Sequence, residues 1–537
     1  MKDVLPRTGF RLELDGGSLK IEDVVAFARR SGEAQCALSP EAVRRVEATR
    51  ELKRSLIERE VPIYGVTTGF GDSAHRQISS SRSVRLQQNL LRFLGAGTGQ
   101  TASPEVTRAA MLLRANCLAK GNSGVRLELV ERLLFFLNKD ILPLIPERGS
   151  CGASGDLIPL SYLGAALVGE EEVLYGGEVR EAREVLDELG LEPLELEAKE
   201  GLALTNGTSF MSAFAALAVW DAEELALVSD LCTAMASEAL LGNRGHFNAF
   251  IFENKPHPGQ IESARIIREL LAESELALDS EKIFADDGLG GREFLELERQ
   301  VQDKYSIRCA PHVNGALRDT LEWVRRWVEV EINSSDDNPL FDVGGGRVQS
   351  GGNFYGGHIA QAMDSLKIAL ANLCDLMDRQ LELVVDEKFN AGLTPNLIPA
   401  FDEDSPEAGV HHGFKGMQLC SSAMTAEALK LANPASVFSR STEAHNQDKV
   451  SMGAIAARDA RSVIELAQNV AAIHLLAVCQ ALELRGVEKA SPKTRDVHRL
   501  VREHVPFLDA DRRMERDIKE TVDLIRSGEL SRLVLEG

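Results

Sequence analysis

From Thr208 to Leu241 the sequence contains neither glycine nor proline, and Ala, Leu, Glu and Met dominate it. Gly207 and Gly242 bracket the run. Nothing inside it frees or breaks a helix. A continuous helix over this stretch would span about 50 Å at about 1.5 Å per residue. A second long helix is expected near residues 360–385, where Met363, Leu366, Leu370, Leu373, Met377 and Leu381 are three or four residues apart. That spacing puts them on one face. Residues 416–432 and 450–484 have the same character. Long Ala- and Leu-rich helices with few aromatics imply a central bundle. The Met and Leu stripes then read as core packing, not as a cofactor box.

The first 200 residues are mixed. Short apolar runs alternate with Gly-rich turns at Gly65–Gly71 and Gly149–Gly155, and helical patterns lie between them. Val106, Ala110, Leu113 and Cys117 fall at i, i+4, i+7 and i+11, one face of a helix. Residues 485–537 read as shorter charged helices over the outside. Three parts are expected: 1–200, 201–484 and 485–537.

Sixty Lys and Arg face 82 Asp and Glu, a net charge of −22. Neutralising phosphates needs a basic face, so nucleic acid is an unlikely partner for such a chain. The opening MKDVLPRTGFRLELDGG has no apolar run of signal-peptide length, and no stretch of about 18 uncharged apolar residues is apparent, so neither leader nor membrane span is expected. The eight cysteines are scattered without a C-x-x-C pair, as reduced thiols in the cytoplasm would be. His411-His412 is adjacent rather than one helical turn apart, a poor metal pair. No H-E-x-x-H occurs, and no metal is expected.

The chemistry concentrates at Gly152-Ala153-Ser154-Gly155-Asp156-Leu157. A Gly-rich segment between apolar runs is by itself only a turn. A nucleophilic serine elbow needs G-x-S-x-G, and here Gly follows Ser directly. The segment resembles the core of the histidine and aromatic amino acid ammonia-lyase family. In that family Ala-Ser-Gly cyclises to 4-methylideneimidazol-5-one (MIO). The residue types suit the chemistry. Gly155 has no side chain, so its nitrogen can bend back onto the Ala153 carbonyl. Ala153 adds little bulk, and the Ser154 hydroxyl can leave as water. The product is an electrophile that no ordinary side chain supplies.

The resemblance recurs along most of the chain. Ile63-Tyr64-Gly65-Val66-Thr67-Thr68-Gly69-Phe70-Gly71 matches the family's tyrosine loop. Gly201-Leu202-Ala203-Leu204-Thr205-Asn206-Gly207-Thr208, Lys255-Pro256-His257-Pro258-Gly259-Gln260 and Tyr305-Ser306-Ile307-Arg308-Cys309-Ala310-Pro311 follow in order. Asn333-Ser334-Ser335-Asp336-Asp337-Asn338-Pro339, Gly352-Asn353-Phe354, Asn446-Gln447-Asp448 and Ser451-Met452-Gly453 complete the set. His312, Asn314 and Tyr355 depart from the family pattern at positions flanking the site.

The resemblance implies a mainly α fold of the fumarase/aspartase-like type, with a long central helical bundle and an N-terminal mixed domain carrying the MIO loop. It implies a homotetramer whose sites take residues from several subunits, with no external cofactor. Tyr64 is implied as the catalytic base, which requires its pKa to fall from about 10. Arg308 would clamp the substrate carboxylate with its planar fork. Asn206 and Tyr305 would sit beside the MIO and the amino group, and Asp156 would orient the turn. Gly71, Asn338, Phe354, Glu443 and Gln447 would line or support the substrate pocket.

Two segments bear on the ring. Phe93-Leu94 resembles the phenylalanine-selective relatives, where tyrosine lyases often carry His-Leu and histidine lyases Ser-His. Such a wall gives a phenol or imidazole no partner, and burying either unpaired costs about 1–3 kcal/mol. Thr442-Glu443-Ala444-His445-Asn446-Gln447-Asp448 resembles the phenylalanine lyases as well. The expected reaction is L-phenylalanine to trans-cinnamate and ammonia. Tyrosine ammonia-lyase and an aromatic 2,3-aminomutase are the alternatives, and a catalytically dead family member is the non-enzymatic one.

Overall fold

The computed structural model describes residues 10–29, 34–286 and 288–536, so most of the opening segment, in which no leader is expected, lies outside the described residues. The fold is mainly helical, as expected. The glycine- and proline-free run forms helix Ser209–Ala239, and the Met/Leu seam forms Gly357–Val385. Each of the six seam residues is fully buried. The two later patterns become Lys415–Leu431 and Gly453–Arg485. Helix Pro104–Ala119 begins where Ser103 caps the Val106 N–H and Pro104 occupies the first turn, which costs no backbone hydrogen bond. Val106, Ala110, Leu113 and Cys117 are all buried on it.

The chain groups into two compact units. The first comprises residues up to Trp220, Val324–Ser365 and Pro434–Arg461. It carries every named strand among the described residues. Arg11–Leu14 pairs in parallel with Gln35–Leu38, and Thr98–Thr101 pairs antiparallel with Pro146–Arg148. A three-stranded sheet joins Leu142–Pro143, Glu172–Tyr175 and Glu178–Glu181, and Leu340–Asp342 pairs with Arg347–Gln349.

The second unit comprises Asp221–Trp323, Leu366–Asn433 and residues from Ser462 onward. Its long helix segments are pinned to one another by buried polar contacts. Asn314 donates to the fully buried Asp230, to which Arg318 donates at 2.5 Å. Gln380 donates to Thr233 Oγ1 at 2.9 Å, and Ser421 donates to Asp378 at 2.7 Å. His411 stacks on Phe401 and bonds Glu407 at 2.7 Å. His312 packs against Phe252.

Among the described residues one helix, Gly453–Arg485, is long and apolar enough to cross a membrane, with a window of mean hydropathy 1.6. That window escaped the sequence reading. Of it, 78% is buried inside the protein, the setting of a core helix.

Candidate active site

The Ala-Ser-Gly turn is built by its backbone. Ser154 and Gly155 both have left-handed φ, 52° and 74°. A Cβ at position 155 would run into the Gly207 carbonyl, so only glycine fits. The Asp156 N–H donates to Gly207 O at 2.7 Å, and Met452 N–H donates to Cys151 O at 3.0 Å, which ties the turn at both ends. Asp156 follows the turn and points its carboxylate away from it, accepting from the Met211 N–H at 2.7 Å and from the Ser150 hydroxyl at 2.9 Å. Burial pushes the Asp156 carboxyl up to about 7. The two donors pull it down and Asp336 adds to the rise.

Three helices begin around Met211. A methyl on Gly356 or on Gly453, the residues opening Gly357–Val385 and Gly453–Arg485, would collide with the Met211 sulfur. Met211 itself lies in the first turn of Ser209–Ala239. Leu157–Leu167 starts directly after the Ala-Ser-Gly-Asp turn. Helix N-termini carry partial positive charge, so this convergence favours electron density moving toward the turn.

A cavity of about 570 Å³ opens over the turn, within the first unit. Ala153, Ser154, Gly155, Tyr64, Gly71, Phe93, Leu94, Asn206, Asn338, Phe354, Glu443 and Gln447 all line it. Asn206 is nearly fully buried; its Nδ2 donates to Ser154 O at 2.9 Å, and its Oδ1 has no partner. Gln447 Nε2 donates to Ser154 Oγ at 3.0 Å. The Tyr64 phenol accepts from the Gly71 N–H at 2.9 Å. Glu443 crosses to the same loop, where its Oε1 accepts from the Asp72 N–H at 3.0 Å. Asn446 holds its other oxygen at 2.7 Å. Gly71 leaves the space this carboxylate fills.

The lowered pKa expected for Tyr64 is not what this arrangement produces. Burial raises it and the Glu443 charge raises it further, against the Gly71 hydrogen bond. Leu94 packs with Leu90 and Leu202 in a cluster that Tyr64, Phe70 and Leu157 cover. Phe93 is 62% exposed, so it is no closed wall.

Tyr305 and Arg308 belong to the second unit and are not among the cavity's lining residues. They form a short helical turn, Tyr305–Arg308, in which the guanidinium lies 4.5 Å from the Tyr305 ring centroid. Tyr305 is 73% exposed.

Sequence reasoning missed three supports. Gln87 is fully buried, donates to Gly65 O at 2.9 Å and accepts from the Leu202 N–H at 3.0 Å, joining the tyrosine loop to the segment that carries Asn206. Arg114 donates to Asn206 O at 2.6 Å and pairs with Asp336. Lys199 and Asp337, both fully buried, pair at 2.6 Å. The available signal was a polar residue on an otherwise apolar stripe. Gln87 follows Ser83 and precedes Leu90, Leu91 and Leu94 on the buried face of helix Ser83–Leu94.

The turn, the cavity over it and the anchored tyrosine lie together in the first unit. The model of the aromatic amino acid lyase family matches residues 19–503. The chain belongs to that family and is a carbon–nitrogen lyase acting on small-molecule amino acids. Histidine ammonia-lyase of Gloeobacter violaceus is 42% identical over 97% of this chain and 96% of its own. The histidine ammonia-lyase of Caldanaerobacter subterraneus is 40% identical over 98% of both chains. Among solved structures, tyrosine aminomutase from Streptomyces globisporus superposes with a TM-score of 0.92 at 38% identity, over 98% of both chains.

These relatives correct the ring assignment. Full-length likeness to histidine ammonia-lyases runs against the expected conversion of phenylalanine to cinnamate and against the tyrosine alternative. The physical reason is visible in the cavity. The phenylalanine reading rested on an apolar Phe93-Leu94 wall and on the likeness of Thr442–Asp448 to phenylalanine lyases, but Phe93 is largely exposed and the second segment brings the Glu443 carboxylate to the cavity by Gly71.

Proposed function

We propose that this enzyme eliminates ammonia from L-histidine, giving trans-urocanate, on a MIO group formed from its own Ala153-Ser154-Gly155. The likeness to histidine ammonia-lyases supports the substrate, and the acidic Glu443 in the cavity carries it structurally. An imidazole N–H reaching Glu443 would exchange water for a charge-assisted hydrogen bond. A phenyl ring would offer that carboxylate no further donor beyond the Asp72 N–H and the Asn446 amide.

The residues fit the MIO. The positive φ at Ser154 and Gly155, and the contact of Gly155 with Gly207, supply the sharp bend that ring closure needs. Joining the Gly155 nitrogen to the Ala153 carbonyl carbon releases one water, and loss of the Ser154 hydroxyl with its α-proton releases another. Once formed, the group supplies an electrophilic methylidene carbon.

Asn206 Oδ1, buried without a partner, accepts from the substrate ammonium. Tyr64 takes the proton from the carbon next to the one bearing nitrogen. Its raised pKa comes from burial and Glu443, and an arriving cation offsets both. Arg308 and Tyr305 of another copy in a homotetramer complete the site and hold the carboxylate, which accounts for the exposure of Tyr305 on a single chain.

The test is product analysis with histidine, phenylalanine and tyrosine, alongside the intact mass. Urocanate with equimolar ammonia, and a protein two waters lighter than its sequence, are expected. Cinnamate, coumarate or a β-amino acid as the main product, or an unmodified mass with full activity, overturns the reading.

A further inference from the structure

Behind the Ala-Ser-Gly turn, the Thr208 hydroxyl lies between two carboxyl groups. Its oxygen is 2.6 Å from Glu331 Oε1 and 2.8 Å from Asp336 Oδ2. A hydroxyl has one proton to give. Two such short contacts to two ionised carboxylates would leave one oxygen pair facing each other with no proton between them. One of the two acids therefore carries the second proton.

The surroundings decide which. Asp336 receives four donors: Arg114 Nη2 and the Cys117 thiol on Oδ1, the Thr208 N–H and the Thr208 hydroxyl on Oδ2. A carboxylate so supplied is an anion. Glu331 has no cation beside it in these contacts and stands at the C-terminal end of helix Ala310–Glu331, where the helix dipole disfavours negative charge. The titratable groups around it are Asp336 on the adjoining segment, Asp156 from the Ala-Ser-Gly turn, and Arg114 and Cys117 from helix Pro104–Ala119, the cation being engaged by Asp336.

The chain of bonds continues toward the reacting centre. Arg114 Nη1 donates to Asn206 O at 2.6 Å, and Asn206 Nδ2 donates to Ser154 O at 2.9 Å. With a proton on Glu331, donation runs from Glu331 through Thr208 to Asp336, and Arg114 donates back to Asp336 with Nη2 and on to Asn206 O with Nη1. We propose that Glu331 is a positioning residue that works as a neutral carboxylic acid: its proton goes to Thr208, the Thr208 proton to Asp336, and Asp336 orients the Arg114 fork that holds Asn206 against the Ser154 carbonyl. Burial agrees with this assignment, since it raises the Glu331 carboxyl to about 7, with Asp336 and Asp156 adding to the rise against the Thr208 contact.

The kinetic part of this inference rests on the lyase reading; the protonation state does not. Glu331→Gln keeps a neutral donor in place, Glu331→Ala removes it, and Thr208→Val cuts the chain one link further on. Infrared difference spectra of the intact enzyme at pH 6, wild type minus Glu331→Gln, should show one carboxylic-acid carbonyl band that fades as pH rises through neutrality. Glu331→Gln should keep kcat within about threefold, whereas Glu331→Ala and Thr208→Val should lower kcat about tenfold or more at nearly constant KM and with the two-water mass loss intact. Absence of the band, or a Glu331→Gln enzyme as impaired as Glu331→Ala, overturns the proposal. Should Glu331→Ala fail to fold, the Gln and Val variants and the spectrum decide it. Wild-type inactivity on histidine would overturn the substrate reading and leave the infrared result standing.

Discussion

Asn206 Nδ2 donates to the Ser154 carbonyl across 2.9 Å, while Oδ1 of the same amide is buried and unpartnered. One planar group thus holds the Ala-Ser-Gly turn with its donor and keeps its acceptor unpaired. The bond to Ser154 O fixes the side-chain amide, and Arg114 holds the backbone carbonyl of the same residue at 2.6 Å. An unpaired buried acceptor costs about 1–3 kcal/mol, and a ligand that satisfies it recovers that energy on binding.

Replacing this amide tests both halves. Asn206→Ala should lower kcat/KM by about 1.5–3 kcal/mol, roughly ten- to 150-fold, the scale of a hydrogen bond to a charged group. Steady-state kinetics on histidine, with the intact mass as control, measures it. Unchanged kinetics would show that the substrate ammonium is held elsewhere.

The turn itself predicts a sharper outcome. Gly155→Ala places a Cβ against the Gly207 carbonyl at a φ of 74°. The strain is of order 1–3 kcal/mol and falls on the bond that must bend to close the ring. The variant should fold with reduced stability, retain its full translated mass and lack activity. A protein two waters lighter would show that ring closure tolerates a side chain at 155.

Several features were legible in the sequence because they are local. Helix Gly357–Val385 announced itself through a three-four repeat, and the Ala153-Ser154-Gly155 turn and the Tyr64 loop through contiguous motifs. What escaped depends on distant partners. Gln87 is an ordinary polar residue until Gly65 and Leu202 close around it. The direction of the Tyr64 shift escaped because it is set first by burial, which the sequence does not report, and then by the Glu443 charge, whose effect on the phenol was not weighed although its place in the pocket was expected. The ring assignment failed because the Thr442–Asp448 segment was read for its resemblance and not for the carboxylate it brings to the cavity. Phe93-Leu94 is adjacent and conspicuous, whereas Glu443 reaches the cavity only through a turn of three residues with left-handed φ, Glu443, Ala444 and His445.

Acid stability should depend on His474. It is fully buried in helix Gly453–Arg485, neither ring nitrogen has a partner, and burial lowers its pKa to about 3. The folded protein therefore keeps this imidazole neutral while the unfolded chain takes a proton near pH 6.5. The contribution is fully present above that value and is lost as pH falls toward the folded pKa. The loss should approach about 1.4 kcal/mol per pH unit between roughly pH 6 and 4. Urea unfolding of wild type and His474→Leu across this range checks it. The variant should have the flatter profile, and parallel profiles would mean that the histidine is protonated or solvated in the native state.

Tyr64 and Arg308 offer the test of how the site is shared. Tyr64 lines the cavity of the first unit, whereas Arg308 lies in the second and is absent from that lining. Tyr64→Phe should remove the base, and Arg308→Ala the carboxylate clamp, so each variant alone should be nearly inactive. When the two are co-expressed, a site that draws Tyr64 from one subunit and Arg308 from another can be assembled from intact parts. Random assembly makes such a site in about one case in four, so the mixture should recover about a quarter of wild-type activity. A site built within one chain recovers nothing, because every chain carries one lesion. Activity of the purified mixed oligomer, with each parent variant as baseline, distinguishes the two. No recovery from two inactive parents would show that Tyr64 and Arg308 serve a site from one and the same chain, and the shared-site reading would fall.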